Sequence, residues 1–297
     1  MEDLSNEIFY DIFDYLDNYR IYQGFLHLNK LFEKLIMNSN LPMAVNIVTM
    51  LKSKFGNYYK YFLYRINIEF IHFGYQIHLL LALCSHHRVK FLKFFNLETL
   101  IFDNIKMKTL DKMFFYLMLV PKLHSLIISP GEYIDSLNQL LTQILGLSKL
   151  KYCKIAYESQ ASQNMFPCYL TKHDDCSPME YLSFNGRFPF ESLNNLLSCR
   201  PRLHHLSINS LVKCVREELR DVSPIELKYL KCVSLNIDCI QFDKFEKILK
   251  TFFHSVEILN ITTCYREEYS NAKKWKKLIL FHMPYLHIFD INYRGSI

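Results

Sequence analysis

Residues 179–209 read MEYLSFNGRFPFESLNNLLSCRPRLHHLSIN, and this stretch decides the fold. Met179, Leu182 and Phe184 fall on an L-x-x-L-x-L template, and Leu203, Leu206 and Ile208 fall on the same template 24 residues later. Residues 190–199 lie between them with the apolar spacing of a helix, which Arg200 ahead of Pro201 brings to a stop. A strand, a helix and a second strand in one short period make a unit that buries its apolar face only against a neighbouring copy.

The template recurs in both directions. Matches begin at Leu97, Leu123, Leu150, Met179, Leu203, Leu230, Val256 and Leu286, separated by 26, 27, 29, 24, 27, 26 and 30 residues. An earlier match, Leu63 with Ile66 and Ile68, precedes the first by 34. Strands are therefore expected near 63–68, 97–102, 123–128, 150–155, 179–184, 203–208, 230–235, 256–261 and 286–291. Helical periodicity fills 110–120, 134–145, 190–199, 242–253 and 272–282. Pro121, Pro201 and Pro284 stand at helix ends ahead of three of the strands.

The first 45 residues differ. Leu4, Ile8, Ile12, Phe13 and Leu16 form an amphipathic stripe, with Ser5 as N-cap and Glu7 suited to the positive end of the helix dipole. A second stripe (Ile21, Phe25, Leu28) and a third (Leu28, Leu31, Phe32, Leu35, Ile36) follow, and Pro42 closes the segment. Three short helices cannot bury enough apolar surface alone, so the segment must dock on the chain, on a partner, or on both. It carries three basic against seven acidic residues, a net −4, which leaves +10 on the remainder of a chain whose total is +6.

This segment resembles an F-box. Leu4, Glu7, Ile8, Ile12, Phe13, Leu16, Leu28 and Phe32 fall on the family's pattern, with Ser5 in place of the usual proline. Leu28 and Phe32 stand where many members have Val and Trp. With the repeats included, the chain looks like an F-box protein with a carboxy-terminal array of degenerate leucine-rich repeats, from a lineage-expanded set. The stretches QFDKFEKILKTFFHSVEILNITT (241–263) and WKKLILFHMPYLHIFDI (275–291) are especially similar to that set. The resemblance implies a three-helix F-box over 1–45 and a curved repeat solenoid over 46–297, an α/β architecture. It further implies docking on the Skp-type adaptor of a cullin–RING ubiquitin ligase through Leu4, Ser5, Glu7, Ile8, Ile12, Phe13, Leu16, Leu28 and Phe32. One departure concerns the repeats: the family's asparagine, eight residues after each first Leu, is replaced by Ile105, Gly131, Glu158, Arg187, Leu211, Asp238, Cys264 and Arg294. Another concerns the end: the chain runs six residues past Ile291, which leaves open a fragment of a longer protein or an end covered by a partner.

Composition excludes several classes of enzyme. The 7 glycines are never closer than 15 residues, so no phosphate-cradling or nucleophile-elbow motif, which needs two within about six residues, can form. The 9 cysteines are odd in number and scattered, many of them in apolar runs, and the acidic N-terminus has no secretory pattern. A reducing compartment, cytoplasmic or nuclear, is expected. The longest run without Lys, Arg, Asp or Glu, 70–87, carries four histidines and reads as buried helix rather than a membrane span.

If the register holds, alternate positions of each strand face away from the helices. The target-binding candidates on that face are Tyr152, Tyr181, Ser183, Asn185, His205, Ser207, Asn209, Ser234, Asn236 and Asn260. Its charges are only Lys154 against Asp103 and Asp290, which argues against a phosphate-tracking groove and for protein recognition. The run CYLTKHDDC (168–176) mixes soft and hard ligand types at no zinc spacing and reads as a solvated loop. In AKKWKKLIL (272–280), Trp275 and Leu278 are expected to pack inward and the lysines to be solvated. No catalytic residue, metal, cofactor, membrane or nucleic-acid partner is expected. The reading is a substrate-recruiting adaptor that binds the Skp-type adaptor and a target protein. Its rivals are a repeat scaffold without a ligase link, in which the N-terminal helices are only a cap, and a basic nucleic-acid binder, whose affinity would fall steeply with salt.

Overall fold

A computed structural model describes residues 8, 9, 12, 16, 18–25, 28, 30–38, 43–46, 58, 68–73, 96–134, 137–158, 178–214, 227–264 and 267–294. It forms two compact units, Met1–Gly131 and Glu132–Ile297. The division expected at 45/46 is not where the units part.

In the first unit, helices α1 (Asn18–Phe25) and α2 (Lys30–Asn38) precede four parallel strands. These are β1 (Met43–Asn46), β2 (Ile68–Phe73), β3 (Thr99–Ile105) and β4 (Ser125–Pro130), each paired with the next, and helix α3 (Met107–Leu117) joins β3 to β4. Two expectations are corrected here. Strand β1 was not foreseen and straddles the 45/46 boundary, because its four residues are too few to show a period. Strand β2 overlaps the expected 63–68 only at Ile68, and 63–67 lie outside the described residues.

The second unit repeats the pattern. Helix α4 (Leu137–Leu145) leads into β5 (Tyr152–Ala156), and β6 (Tyr181–Pro189) is followed by a 3-10 turn (Phe190–Ser192) and α5 (Leu193–Ser198). Then come β7 (His205–Val212), β8 (Cys232–Asp238), α6 (Phe242–Phe252), β9 (Ile258–Cys264), α7 (Glu267–Ser270), α8 (Ala272–His282) and β10 (Ile288–Arg294). The six strands lie in chain order and each pairs with the next in parallel. Helices α3, α4, α5, α6 and α8 occupy the five segments whose period was helical.

Every strand of the eight later matches begins two residues after its template does. Leu97, Leu123, Leu150, Met179, Leu203, Leu230 and Val256 are buried, yet they precede the ladder. The reason lies in the backbone. The carbonyl of Glu180 accepts from the N–H groups of both His204 and His205, and Lys151, His204, Lys231 and Glu257 act in the same way on the next repeat. The chain therefore turns into the sheet at this doubled bond, and regular pairing starts only beyond it.

From there the template holds to the side chain. Leu182, Leu206, Val233 and Leu259 are aligned across four strands, as are Phe184, Ile208, Leu235 and Ile261, and all are essentially fully buried. Each contributes about 1.5–3 kcal/mol by leaving water. Helix α6 supplies the facing layer with Phe242, Phe245, Ile248, Leu249 and Phe252, the i, i+3, i+7 set of an amphipathic helix. At the head of α8, Asn271 accepts from the N–H groups of Lys273 and Lys274 as an N-cap. The helix buries Trp275 and Leu278 and leaves its lysines exposed, as expected.

Other groups satisfy the turns that the missing asparagines would have served. Glu191, itself buried, accepts from the Cys214 N–H, and Glu268 accepts from that of Phe242. The Tyr269 hydroxyl donates to the Ile240 carbonyl, and the Tyr269 carbonyl accepts from both Trp275 Nε1 and the Tyr293 hydroxyl. Strands β6 and β7 each carry a bulge, between Phe184 and Arg187 and between Ile208 and Leu211 respectively. Gly186 sits in the first, where a Cβ would lie 2.6 Å from the Tyr157 carbonyl oxygen.

Candidate interaction surfaces

In the N-terminal segment Phe9, Ile21, Phe32, Leu35 and Ile36 are buried, and the Phe9 and Phe25 rings meet that of Phe32 edge-on at 4.9 and 5.4 Å. Helix α1 lies against β1. Other apolar residues are open: Ile8 is 43%, Ile12 37% and Leu28 60% exposed. Of the nine proposed adaptor-contact residues, Ile8, Ile12 and Leu28 are thus accessible and Leu16 is half-buried. Phe32 differs from these: its ring is interior, held by two other phenylalanines. Leu4, Ser5, Glu7 and Phe13 lie outside the described residues.

In the second unit the strand face away from the helices presents rows of side chains. One begins with Tyr152, Tyr181 and His205, which the register places side by side. Their rings stack, with centroids 4.4 Å apart and planes 13° apart for the tyrosine pair, and 4.4 Å and 11° for Tyr181 and His205. Burial in this stack raises the Tyr152 phenol above its usual pKa, helped by the adjacent Tyr181 hydroxyl. The same burial lowers the His205 imidazole pKa, because the charged ring would lose more hydration than the neutral one.

The next row is Lys154, Ser183, Ser207, Ser234 and Asn260; beyond it Ala156 pairs with Asn185 and Asn236 with Thr262, while Asn209 lies between them where the register shifts. Asn209 Nδ2 donates to Asn185 Oδ1 at 2.7 Å, a side-chain rung between two strands. Tyr152, Tyr181, His205, Ser183, Ser207, Ser234 and Asn260 are thus aligned from strand to strand. Ser183 is corrected in one respect, since it is buried and offers little of itself to a partner.

A row at the entrance to the strands was missed. The residue after each template start reads Glu98, His124, Lys151, Glu180, His204, Lys231, Glu257 and His287, a Glu-His-Lys order that repeats. Glu98 pairs with His124 at 3.2 Å, Lys151 with Glu180 at 3.0 Å and Lys231 with Glu257 at 2.7 Å. The Lys231 contact lowers the Glu257 pKa. A repeat-by-repeat alignment of the sequence would have found this order, because the signal is in one column and not along the chain.

Some candidates are not brought into any site. The run 168–176 lies outside the described residues, and among the described residues no three His, Cys, Asp or Glu side chains group as metal ligands would. Cys153 points into the core, and burial raises its thiol pKa, the opposite of an activated nucleophile. Among the described residues no helix is long and apolar enough to cross a membrane. No family model matches the chain, and no curated protein matches it either.

Proposed function

We propose that the chain is a substrate-recognition adaptor of a cullin–RING ubiquitin ligase. Its N-terminal helices would dock on the Skp-type adaptor, and a leucine-rich-repeat-like solenoid would hold the target protein. The observation that carries this reading is the exposed Ile8 and Ile12 stripe, backed by a buried Phe9–Phe32 contact that keeps it presented. An exposed isoleucine pair is what an apolar groove in a partner would bury. The sheet face then suits the target. It is polar and nearly uncharged, and a rigid Tyr152–Tyr181–His205 stack on it supplies aromatic anchors at low entropic cost. The chain itself performs no chemistry in this mechanism: tethering raises the effective concentration of target lysines beside the ligase.

The packing of α1 on β1 favours a second reading, a repeat scaffold whose N-terminal helices only cap the array. Co-purification with the Skp-type adaptor separates the two. Changing Ile8 and Ile12 together to Asp would place two carboxylates in the apolar contact at a cost of several kcal/mol and abolish capture. Both side chains are partly exposed, and circular dichroism verifies that the variant keeps its fold. Failure of the unaltered chain to capture the adaptor selects the scaffold.

A further inference from the structure

Strand β10 is the last described strand of the second unit, and among the described residues nothing pairs with its outer edge. The residues that complete the core elsewhere are left half-open here. Phe289 and Ile291 are partly exposed, whereas their ladder neighbours Leu259 and Ile261 are fully buried. Ile288 is 52% exposed beside them. Alternate backbone N–H and C=O groups along the outer edge point where a further strand would lie.

The side chains select the occupant. Along β10, Asp290, Asn292 and Arg294 share one face, with the two opposite charges placed symmetrically about Asn292. We propose that this edge pairs antiparallel with β10 of a second copy of the chain, about a two-fold axis through Asn292. In that register Asp290 of each copy faces Arg294 of the other, the two Asn292 amides meet on the axis, and Ile291 faces Tyr293 twice. Antiparallel partners directly opposite each other stand on the same face of the sheet, so both ion pairs and both apolar pairs form together. A strand whose charges had equal sign, or were unevenly spaced, would oppose like against like in a two-fold arrangement. The charges now engage partners within the chain: Asn292 donates to Asp290 at 2.9 Å, and Arg294 lies 3.5 Å from Asp238. Both can turn outward without disturbing a buried contact.

The test is sedimentation velocity on the full chain, from low micromolar to roughly 100 μM. The expected species is a dimer of twice the 35.6 kDa monomer mass. Asp290→Arg alone and Arg294→Asp alone each set like charges opposite one another and should give monomers. The double variant Asp290→Arg/Arg294→Asp restores the pairing and should give the dimer again. Circular dichroism of each variant verifies that its fold is intact. A monomer throughout the range overturns the proposal, whether the edge stays bare or another segment of the chain covers it. So does a dimer that survives both single changes, or one that the double variant fails to restore.

Discussion

Replacing Tyr181 by Ala removes the middle ring of the stack on the sheet face. Two ring contacts are lost at once, to Tyr152 and to His205, each at 4.4 Å. At ~0.5–1.5 kcal/mol per aromatic pair beyond area burial, the substitution should cost ~1–3 kcal/mol from stacking alone. Tyr181→Phe keeps both stacked rings and removes only the hydroxyl beside Tyr152, so it should lie within about 1 kcal/mol of the parent. Urea unfolding of the three proteins gives the two differences. A second reading comes from His205, whose depressed pKa has burial as its cause. Taking away the Tyr181 ring opens one side of the imidazole to water, and its pKa should rise toward the ordinary 6.5, followed by NMR titration. On the proposed function, the same variant should lose capture of a target that uses this face and leave the proposed adaptor capture through Ile8 and Ile12 unchanged. An Ala variant as stable as the parent, with the His205 titration unmoved, would refute the stack as a structural unit.

The His205 shift also sets a pH dependence. Because the folded pKa lies below the unfolded value, the unfolded chain binds the proton more readily, and the stability associated with neutral His205 is present above about pH 6.5 and lost as pH falls below it. Thermal unfolding between pH 7.5 and 5 should show this loss, and His205→Asn should flatten that part of the profile. In the N-terminal segment, Phe32→Ala deletes a ring buried between Phe9 and Phe25 and should cost ~3–5 kcal/mol, measured by denaturant unfolding. An effect below about 1 kcal/mol would return Phe32 to the list of partner contacts.

Much of the architecture was legible because it is carried by local spacing. Leu182 and Phe184 are two apart and Leu206 and Ile208 two apart, which is a strand's period. The apolar residues of 242–252 fall three and four apart, which is a helix's. Since each repeat packs on its neighbour, these local patterns nearly suffice to order the strands of each unit, and the face bearing Tyr152, Tyr181 and His205 followed from alternation alone. Chain composition likewise disposed of phosphate-cradling motifs before any contact was known.

Tertiary structure decided what spacing cannot express. Whether Leu203 begins a strand or only precedes one depends on where the N–H groups of His204 and His205 find a carbonyl, and that carbonyl belongs to Glu180 in another repeat. Phe32 and Ile12 are both apolar residues on helical stripes, and the sequence treats them alike. Only packing buries one against Phe9 and Phe25 and leaves the other 37% exposed. The turn partners Glu191, Glu268 and Tyr269 belong to other repeats than the backbone groups they satisfy, so no spacing within one repeat announces them. A one-dimensional pattern records which side chains can share a face. Which buried backbone groups must be satisfied, and by whom, is settled only when distant segments meet.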